Sequence, residues 1–203
     1  MLPNIISSTQ STFVPSHLIT DNVLVAYETL RTMHSKKRGK KGALALKLDI
    51  SKAYDQVEWL FLEGIMQKMG FLDRWIERVM SCVTKPTFSV LVNGKPYGNI
   101  LPSRGFHQGD PLSLYLFLLC AEGFISLLAK AELEGRINGV SICRRAPKIS
   151  NLLFADDSLL FCHATQNEVV TIAKILQTYA NASGQSINLE KSFVYFSSNT
   201  SSR

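Results

Sequence analysis

The chain lacks the cysteine patterns of zinc-binding and disulfide-stapled proteins. Its four cysteines stand alone, with no Cys-X-X-Cys pair and no histidine at zinc-ligand spacing: Cys82, Cys120, Cys143 and Cys162. Isolated cysteines of this kind are typical of reduced core residues in a protein that is not exported. We therefore expect an intracellular protein, nuclear or cytoplasmic, that is not secreted.

Secretory and membrane signals are also missing. Residues 1–4 contain no basic n-region and no long apolar run follows them. The most hydrophobic segment, residues 111–129, contains Glu122 and several polar residues, which favours a buried helix over a membrane span. No internal repeat or linker divides the chain, so we expect one domain over residues 1–203, with an extended lead-in at 1–20 and a polar tail at 198–203.

The chain is moderately basic. The 203 residues are 46% hydrophobic and 19% charged, and the formal net charge is +6, which is compatible with a polyanionic partner. Five cations cluster between the first helix and the first strand: Lys36, Lys37, Arg38, Lys40 and Lys41. A solvated loop is the simpler interpretation, and a phosphate-binding loop gains weight only if other features indicate nucleic acid.

Hydrophobic periodicity predicts irregularly alternating helices and strands. The expected helices cover 21–35, a segment ending at Gly70, 73–83, 111–134 and a segment from the Thr165 cap to Gly184. The expected strands cover 43–48, 87–92, 97–101, 140–143, 149–154 and 192–196, with Asn93-Gly94 as a hairpin turn. This pattern predicts an α+β fold, an antiparallel sheet backed by helices.

Two adjacent acids, Asp156 and Asp157, lie between two short apolar runs at 152–154 and 159–161. The runs indicate strands, so the pattern predicts a β-hairpin with both acids at its tip. Carboxylates against an apolar sheet are costly unless something positive neutralises them. An exposed turn and a divalent-metal site therefore remain alternative interpretations of this pair.

A third acid, Asp49, follows the buried strand at 43–48. If that strand lies beside the hairpin, three carboxylates converge on one edge of the sheet and repel one another strongly unless cations bind there. Oxygen ligands suit Mg²⁺ or Mn²⁺, and two such ions form a clamp for in-line phosphoryl displacement.

Three segments together carry a resemblance to a known family: Leu46-Lys47-Leu48-Asp49-Ile50-Ser51-Lys52-Ala53-Tyr54-Asp55, Arg104-Gly105-Phe106-His107-Gln108-Gly109-Asp110-Pro111-Leu112-Ser113 and Phe154-Ala155-Asp156-Asp157. In their order and in their residues they resemble the motifs of reverse transcriptases of LINE-type (non-LTR) retrotransposons, especially the plant forms. Segments 10–15, 18–22 and 184–192 match as well, so the resemblance covers nearly the whole chain.

The resemblance implies a right-hand polymerase palm with partial fingers and no thumb. In it Asp49, Asp156 and Asp157, with the backbone carbonyl of Ile50, would hold two Mg²⁺ ions, or Mn²⁺. The implied activity is RNA-directed DNA polymerisation, with an RNA template, a DNA primer and deoxynucleoside triphosphates as partners. We expect a chain with these bounds to lack the leading fingers segment, the thumb and the endonuclease, so a folded remnant that binds nucleic acid and Mg²⁺ without catalysis is the alternative.

The resemblance also implies nucleotide contacts. Tyr54 matches a steric gate against ribonucleotides, although a core aromatic is the simpler interpretation of the residue alone. Gln108 and Gly109 match residues along the incoming nucleotide, and Arg104 meets either phosphate or an acid. Lys191 matches a lysine proposed to protonate the leaving pyrophosphate, although a lone lysine there is more often a solvated surface residue.

The chain departs from the family at four positions. Histidine replaces the usual arginine at His17 and His107, Leu114 replaces proline, and Asn151 replaces histidine. The two histidines remove permanent charge from nucleotide or phosphate contacts. A repair or phosphodiesterase enzyme using the same ions would need a general base, and neither His107 nor His163 has a setting for that role.

Overall fold

The computed structural model describes residues 5–7, 9–10, 18–37, 39, 41–154 and 157–200. The helices are α1 (Ile19–Ser35), α2 (Trp59–Lys68), α3 (Asp73–Thr84), α4 (Pro111–Leu133) and α5 (Gln166–Ser183). The strands are β1 (Ala43–Ser51), β2 (Phe88–Val92), β3 (Lys95–Ile100), β4 (Asn151–Phe154), β5 (Asp157–His163), β6 (Ser186–Ile187) and β7 (Phe193–Phe196). The predicted α+β fold is confirmed.

The main sheet is antiparallel and centred on β1. On one side β1 pairs with β5, and β4 lies beyond β5 as the other arm of the predicted hairpin. On the other side the start of β1 pairs with β7 and its end pairs with β6. Strands β2 and β3 form a separate hairpin around the predicted Asn93-Gly94 turn. β1 therefore has a paired strand on each side, which explains why its sequence is the mostly apolar run of a buried strand.

Helix α4 forms the middle of the core. Its first half packs with α2 and α3 around Leu62, Met66 and Phe117, and its second half packs with α5 and the sheet around Phe124 and Leu128. By length and composition α4 also qualifies as a membrane span, and 61% of its most apolar window is buried inside the structure. Because α4 is packed on two sides, most of its circumference is apolar, as expected of a buried helix.

The opposite face of the sheet is covered by α1. Met33 near the end of α1 packs with Ala45 of β1, Phe161 of β5 and Val140 in a third buried cluster. The sheet is therefore enclosed between α1 on one face and α4 with α5 on the other, a layered arrangement that buries both faces.

The predicted helix ends are confirmed where they depend on local chemistry. The Asp110 carboxylate accepts from the backbone N–H of Leu112 at 3.0 Å, and the Thr165 hydroxyl accepts from that of Glu168 at 3.4 Å. Gly184 ends α5 in the left-handed conformation, with φ of 77°.

Several predictions about elements are wrong. The expected strand at 140–143 is a single bridge between Val140 and Ile149, because a tight turn in which Ala146 N–H donates to the Cys143 carbonyl follows it. Helix α1 begins at Ile19, before the expected start at residue 21. The polar residues after β7 are hydrogen-bonded: Ser198 donates to the Met33 and His34 carbonyls at the end of α1, and the Asn199 side-chain amide donates to the Gly39 and Lys41 carbonyls.

The cysteine prediction holds for two residues and fails for two. Cys120 and Cys162 are buried, and burial raises the pKa of both thiols, that of Cys162 to about 12. Cys82 and Cys143 are exposed, because one lies late in α3 and the other in the loop before β4. All four are free thiols.

Glu168 joins the sheet to the loop after α4. Its buried carboxylate accepts from the backbone N–H groups of Asn138 and His163, at 3.0 and 2.9 Å, and from the Asn138 side-chain amide at 3.1 Å. The His163 ring lies 3.1 Å from the same carboxylate. This one side chain therefore satisfies the backbone at the ends of two segments.

We expect Glu168→Ala to lower the free energy of unfolding by about 2–3 kcal/mol, because it leaves buried donors without an acceptor. Urea denaturation followed by circular dichroism measures the loss. Glu134→Ala, which removes an exposed carboxylate paired with Arg136, is the matched control and should cost less than about 1 kcal/mol. Equal losses for the two variants would contradict this role of Glu168.

Candidate active site

The pairing of β1 with β5 places two of the predicted metal ligands directly opposite each other. Asp49 faces Asp157 at the last pair of the β1–β5 ladder. Directly opposed residues of an antiparallel pair have Cβ atoms about 5 Å apart, within reach of one cation. β1 continues past Asp49 to Ser51, so Asp49 lies within the strand and not after it, which corrects the expected strand end at residue 48. Asp157 begins β5, so the two acids lie where the β1–β5 ladder ends.

Asp157 lies in a strand, at the tip end of the predicted hairpin. It is the first residue of β5 and pairs with Phe154 of β4. Its Oδ1 atom is buried and accepts no hydrogen bond from the described residues, although the side chain as a whole is 47% exposed. The Lys47 ammonium lies 3.0 Å from Oδ1, as an ion pair without hydrogen-bond geometry. Asp156, the residue before it, lies outside the described residues.

The donor set fits a hard divalent cation. Asp49 and Asp157 offer carboxylate oxygens, the ligands that Mg²⁺ and Mn²⁺ prefer, and Oδ1 of Asp157 is a buried acceptor without a donor. Within the described ranges no group of three His, Cys, Asp or Glu side chains is placed to hold a metal, and the third predicted ligand, Asp156, falls in the gap. Ile50 follows Asp49 in β1 and faces Ile187 of β6.

The segment 188–192 fixes the backbone of Asp49. The Asn188 N–H donates to the Asp49 carbonyl at 2.8 Å, and the Asp49 N–H donates to the Ser192 hydroxyl at 3.2 Å. Lys191 lies on this same loop, where its N–H donates to the Asn188 side-chain oxygen at 3.3 Å. The lysine is exposed. The fold thus brings its loop to the acids, and its catalytic role stays a prediction.

The Gly105 loop docks on the turn that follows β1. The N–H of Gly105 donates to the Val57 carbonyl at 2.8 Å, and that of Phe106 donates to the Tyr54 carbonyl at 2.9 Å. Gly105 has φ of 83°, and a Cβ atom there would lie 2.3 Å from the Asp55 carbonyl oxygen. Glycine is therefore required for this contact, which joins the two motifs into one unit.

A cleft of about 520 Å³ lies between this loop, the end of α3 and the start of β2. Gln108 lines it and is exposed, and the next residue, Gly109, has φ of 93°. The Arg104 guanidinium lies 3.4 Å from the Glu58 carboxylate, so in this structure it pairs with an acid, one of the two predicted alternatives. The His107 ring stacks on Phe88, with centroids 5.1 Å apart.

Tyr54 is half-buried at the base of the same turn. Its ring stacks on Phe117 of α4, with centroids 4.5 Å apart and planes 21° from parallel. The stacking on Phe117 holds the Tyr54 ring in place, and the steric-gate role stays a prediction.

Sequence reasoning missed two residues of the site. Buried Gln185 donates to the Ala53 carbonyl at 2.6 Å and accepts from the Tyr179 hydroxyl at 2.7 Å, which ties α5 to the turn after Asp49. Its position inside the matched segment 184–192 was the available signal. For Lys47, the partner of Asp157, the sequence offers a clearer signal. Alternate residues of a strand share a face, and Lys47 stands two positions before Asp49, so both lie on the same face of β1.

The predicted basic loop lies away from the acids. It precedes Ala43, the residue opposite His163. The six residue-to-residue steps of strand from Ala43 to Asp49, at ~3.3 Å each, span about 20 Å. Lys36, Lys37 and Lys41 are exposed there, whereas Arg38 and Lys40 lie outside the described residues. Its nucleic-acid contacts stay a prediction, and they would involve a part of the polymer remote from the acids.

Comparisons with known proteins agree on the family. A family model described as reverse transcriptase (RNA-dependent DNA polymerase) matches residues 1–201. An uncharacterized mitochondrial protein of Arabidopsis thaliana is 48% identical over 68 residues, which are 34% of this chain and 56% of that protein. A Pol polyprotein from retrotransposable element R2 of Popillia japonica is 31% identical over 147 residues, 71% of this chain and 23% of that protein.

The solved structures are similar in fold. Apo telomerase from Candida tropicalis, truncated from its C-terminal domain, superposes with a TM-score of 0.65 over 91% of this chain and 36% of that chain, at 14% identity. This chain thus spans only part of each of these relatives. It belongs to the reverse transcriptase (RNA-dependent DNA polymerase) family, and within that family its relatives are the Pol proteins of non-LTR retrotransposons, as its motifs predicted.

Proposed function

We propose that the chain performs nucleotidyl transfer in an RNA-directed DNA polymerase, extending a DNA primer on an RNA template with deoxynucleoside triphosphates. The observation that carries the proposal is the opposition of Asp49 and Asp157 in the β1–β5 register. The cleft lined by Gln108 supports it, because its loop is bonded to the turn that follows Asp49.

Asp49, Asp156 and Asp157, with the Ile50 carbonyl, would hold the divalent cations, two Mg²⁺ or Mn²⁺ ions. When bound, such ions lower the pKa of an attacking hydroxyl and neutralise a leaving pyrophosphate. The chain's contribution is position, because short carboxylate side chains on a strand paired on both sides leave the oxygens little freedom.

The nucleotide would lie in the cleft beside the Gly105 loop. Gln108 and Gly109 offer a polar side chain and close backbone approach. Arg104 would exchange Glu58 for phosphate, since an exposed ion pair costs only about 1 kcal/mol or less to break. In this arrangement Tyr54 limits the room beside the sugar, and Lys191 supplies positive charge from the loop bound to Asp49.

The alternative is a module that binds nucleic acid without extending a primer. The position of Lys36, Lys37 and Lys41 before the start of β1, whereas the acids lie near its end, favours it, because phosphate contacts there are independent of the metal site. We also propose an intracellular location, nuclear or cytoplasmic, supported by the four free thiols.

Primer extension on an RNA template with Mg²⁺ or Mn²⁺ tests the proposal. We expect the double variant Asp156→Asn, Asp157→Asn to lose more than about 100-fold in rate, beyond the range for a residue that only supports a ligand. Asp73→Asn, at the start of α3, is the matched control and should extend like wild type. Extension that survives the double variant would remove the catalytic assignment, and RNA binding without extension by wild type would favour the alternative.

Sugar selectivity tests Tyr54. In an active protein we expect Tyr54→Ala to raise ribonucleotide use relative to deoxynucleotide use by about tenfold or more, equivalent to about 1.4 kcal/mol of lost steric discrimination. Tyr54→Phe keeps the ring on Phe117 and should preserve selectivity. Unchanged selectivity in Tyr54→Ala, with normal thermal stability, would exclude the gate.

A further inference from the structure

Lys47 occupies an unusual position in the central strand. It is the one charged residue among the first six residues of β1, whose others are Ala43, Leu44, Ala45, Leu46 and Leu48. Its cross-strand neighbours are Leu159 on β5 and Phe193 on β7. Apolar neighbours on both sides suit the aliphatic stem, but the ammonium requires a counter-charge or solvent.

The ammonium meets a carboxylate of the candidate metal site. It lies 3.0 Å from Oδ1 of Asp157, and its side chain is 35% exposed. Across the described part of the chain, Asp157 is the one carboxylate that lies within ion-pair distance of Lys47. The same Oδ1 accepts no hydrogen bond, so Lys47 supplies the positive charge nearest to that buried oxygen.

The register makes a counter-charge necessary. Asp157 is directly opposite Asp49, and two carboxylates facing each other across a ladder repel. Among the described residues, the hydrogen bonds that hold Asp49 come from Asn188 and Ser192, reach its backbone and do not neutralise its charge. A cation on the same face of β1, two residues from Asp49, offsets this repulsion.

We propose that Lys47 is a positioning residue, the resident counter-ion of the Asp49–Asp157 pair, which a divalent cation displaces when it binds. The proposal rests on the metal site proposed above. The ammonium lies beside Oδ1 of Asp157, an oxygen that a bound metal ion would also approach, so the two cations compete for it. Lys47 therefore stabilises the metal-free site and weakens its affinity for metal at the same time.

Stability without metal is the first test. In buffer with chelator, Lys47→Met should lower the melting temperature by about 1–3 °C, the range for a partly exposed ion pair in a chain of this size. Lys47→Arg should retain stability, and Lys95→Met, an exposed lysine on β3, should leave it unchanged. In an Asp157→Asn background, Lys47→Met should have no further effect. An equal loss in both backgrounds would mean that Lys47 acts through packing, which overturns the ion-pair role.

Metal affinity is the second test. Removing one positive charge beside the site should tighten Mn²⁺ binding by about tenfold, measured by calorimetry or by the electron paramagnetic resonance of free Mn²⁺. Saturating Mn²⁺ should also abolish the difference in melting temperature between Lys47→Met and wild type. Unchanged or weaker Mn²⁺ binding by Lys47→Met would overturn the competition.

The two tests distinguish failure of the Lys47 proposal from failure of the proposed metal site. If wild type binds no more Mn²⁺ than an Asp49→Asn, Asp157→Asn variant, the metal site and the displacement both fail. The comparison in the Asp157→Asn background still decides whether Lys47 neutralises the acid pair.

Discussion

The pairing of β1 with β5 is the interaction on which the site depends. It brings together two strands that are more than 100 residues apart in the chain and ends with Asp49 opposite Asp157. The backbone ladder supplies the stability that the two carboxylates themselves oppose. Because a shift of one residue would turn one of the acids to the other face of the sheet, the apolar residues buried on both faces also determine the position of the acids.

Five hydrogen bonds to distant segments hold the backbone of Asp49 and of the turn that follows it. The Asn188 and Ser192 contacts bracket Asp49 itself, Gln185 holds Ala53, and the Gly105 loop holds the turn that follows. These contacts use backbone groups and leave the acidic side chains available. A backbone held this way keeps the carboxylates in place, as a site for cations of fixed geometry requires.

Local chemistry accounts for what could be predicted of the fold. The Asp110 and Thr165 caps, the Asn93-Gly94 turn and the helix end at Gly184 each depend on a few neighbouring residues. The predictions of a strand at 140–143 and of buried side chains at Cys82 and Cys143 are wrong. They depend on which face of a segment meets the core, and periodicity over a few residues does not decide that. Two-residue β6 is too short to leave any pattern.

The sequence by itself determined the family, the order of the motifs and the choice of candidate acids, because these reside in the identity and spacing of residues. Only the tertiary structure decided that Asp157 lies within a strand, that Arg104 meets Glu58 and that Lys47 meets Asp157. Ion pairs depend on distances of a few ångströms between side chains from different segments. Such distances follow from register and packing, and not from the residues of either segment alone.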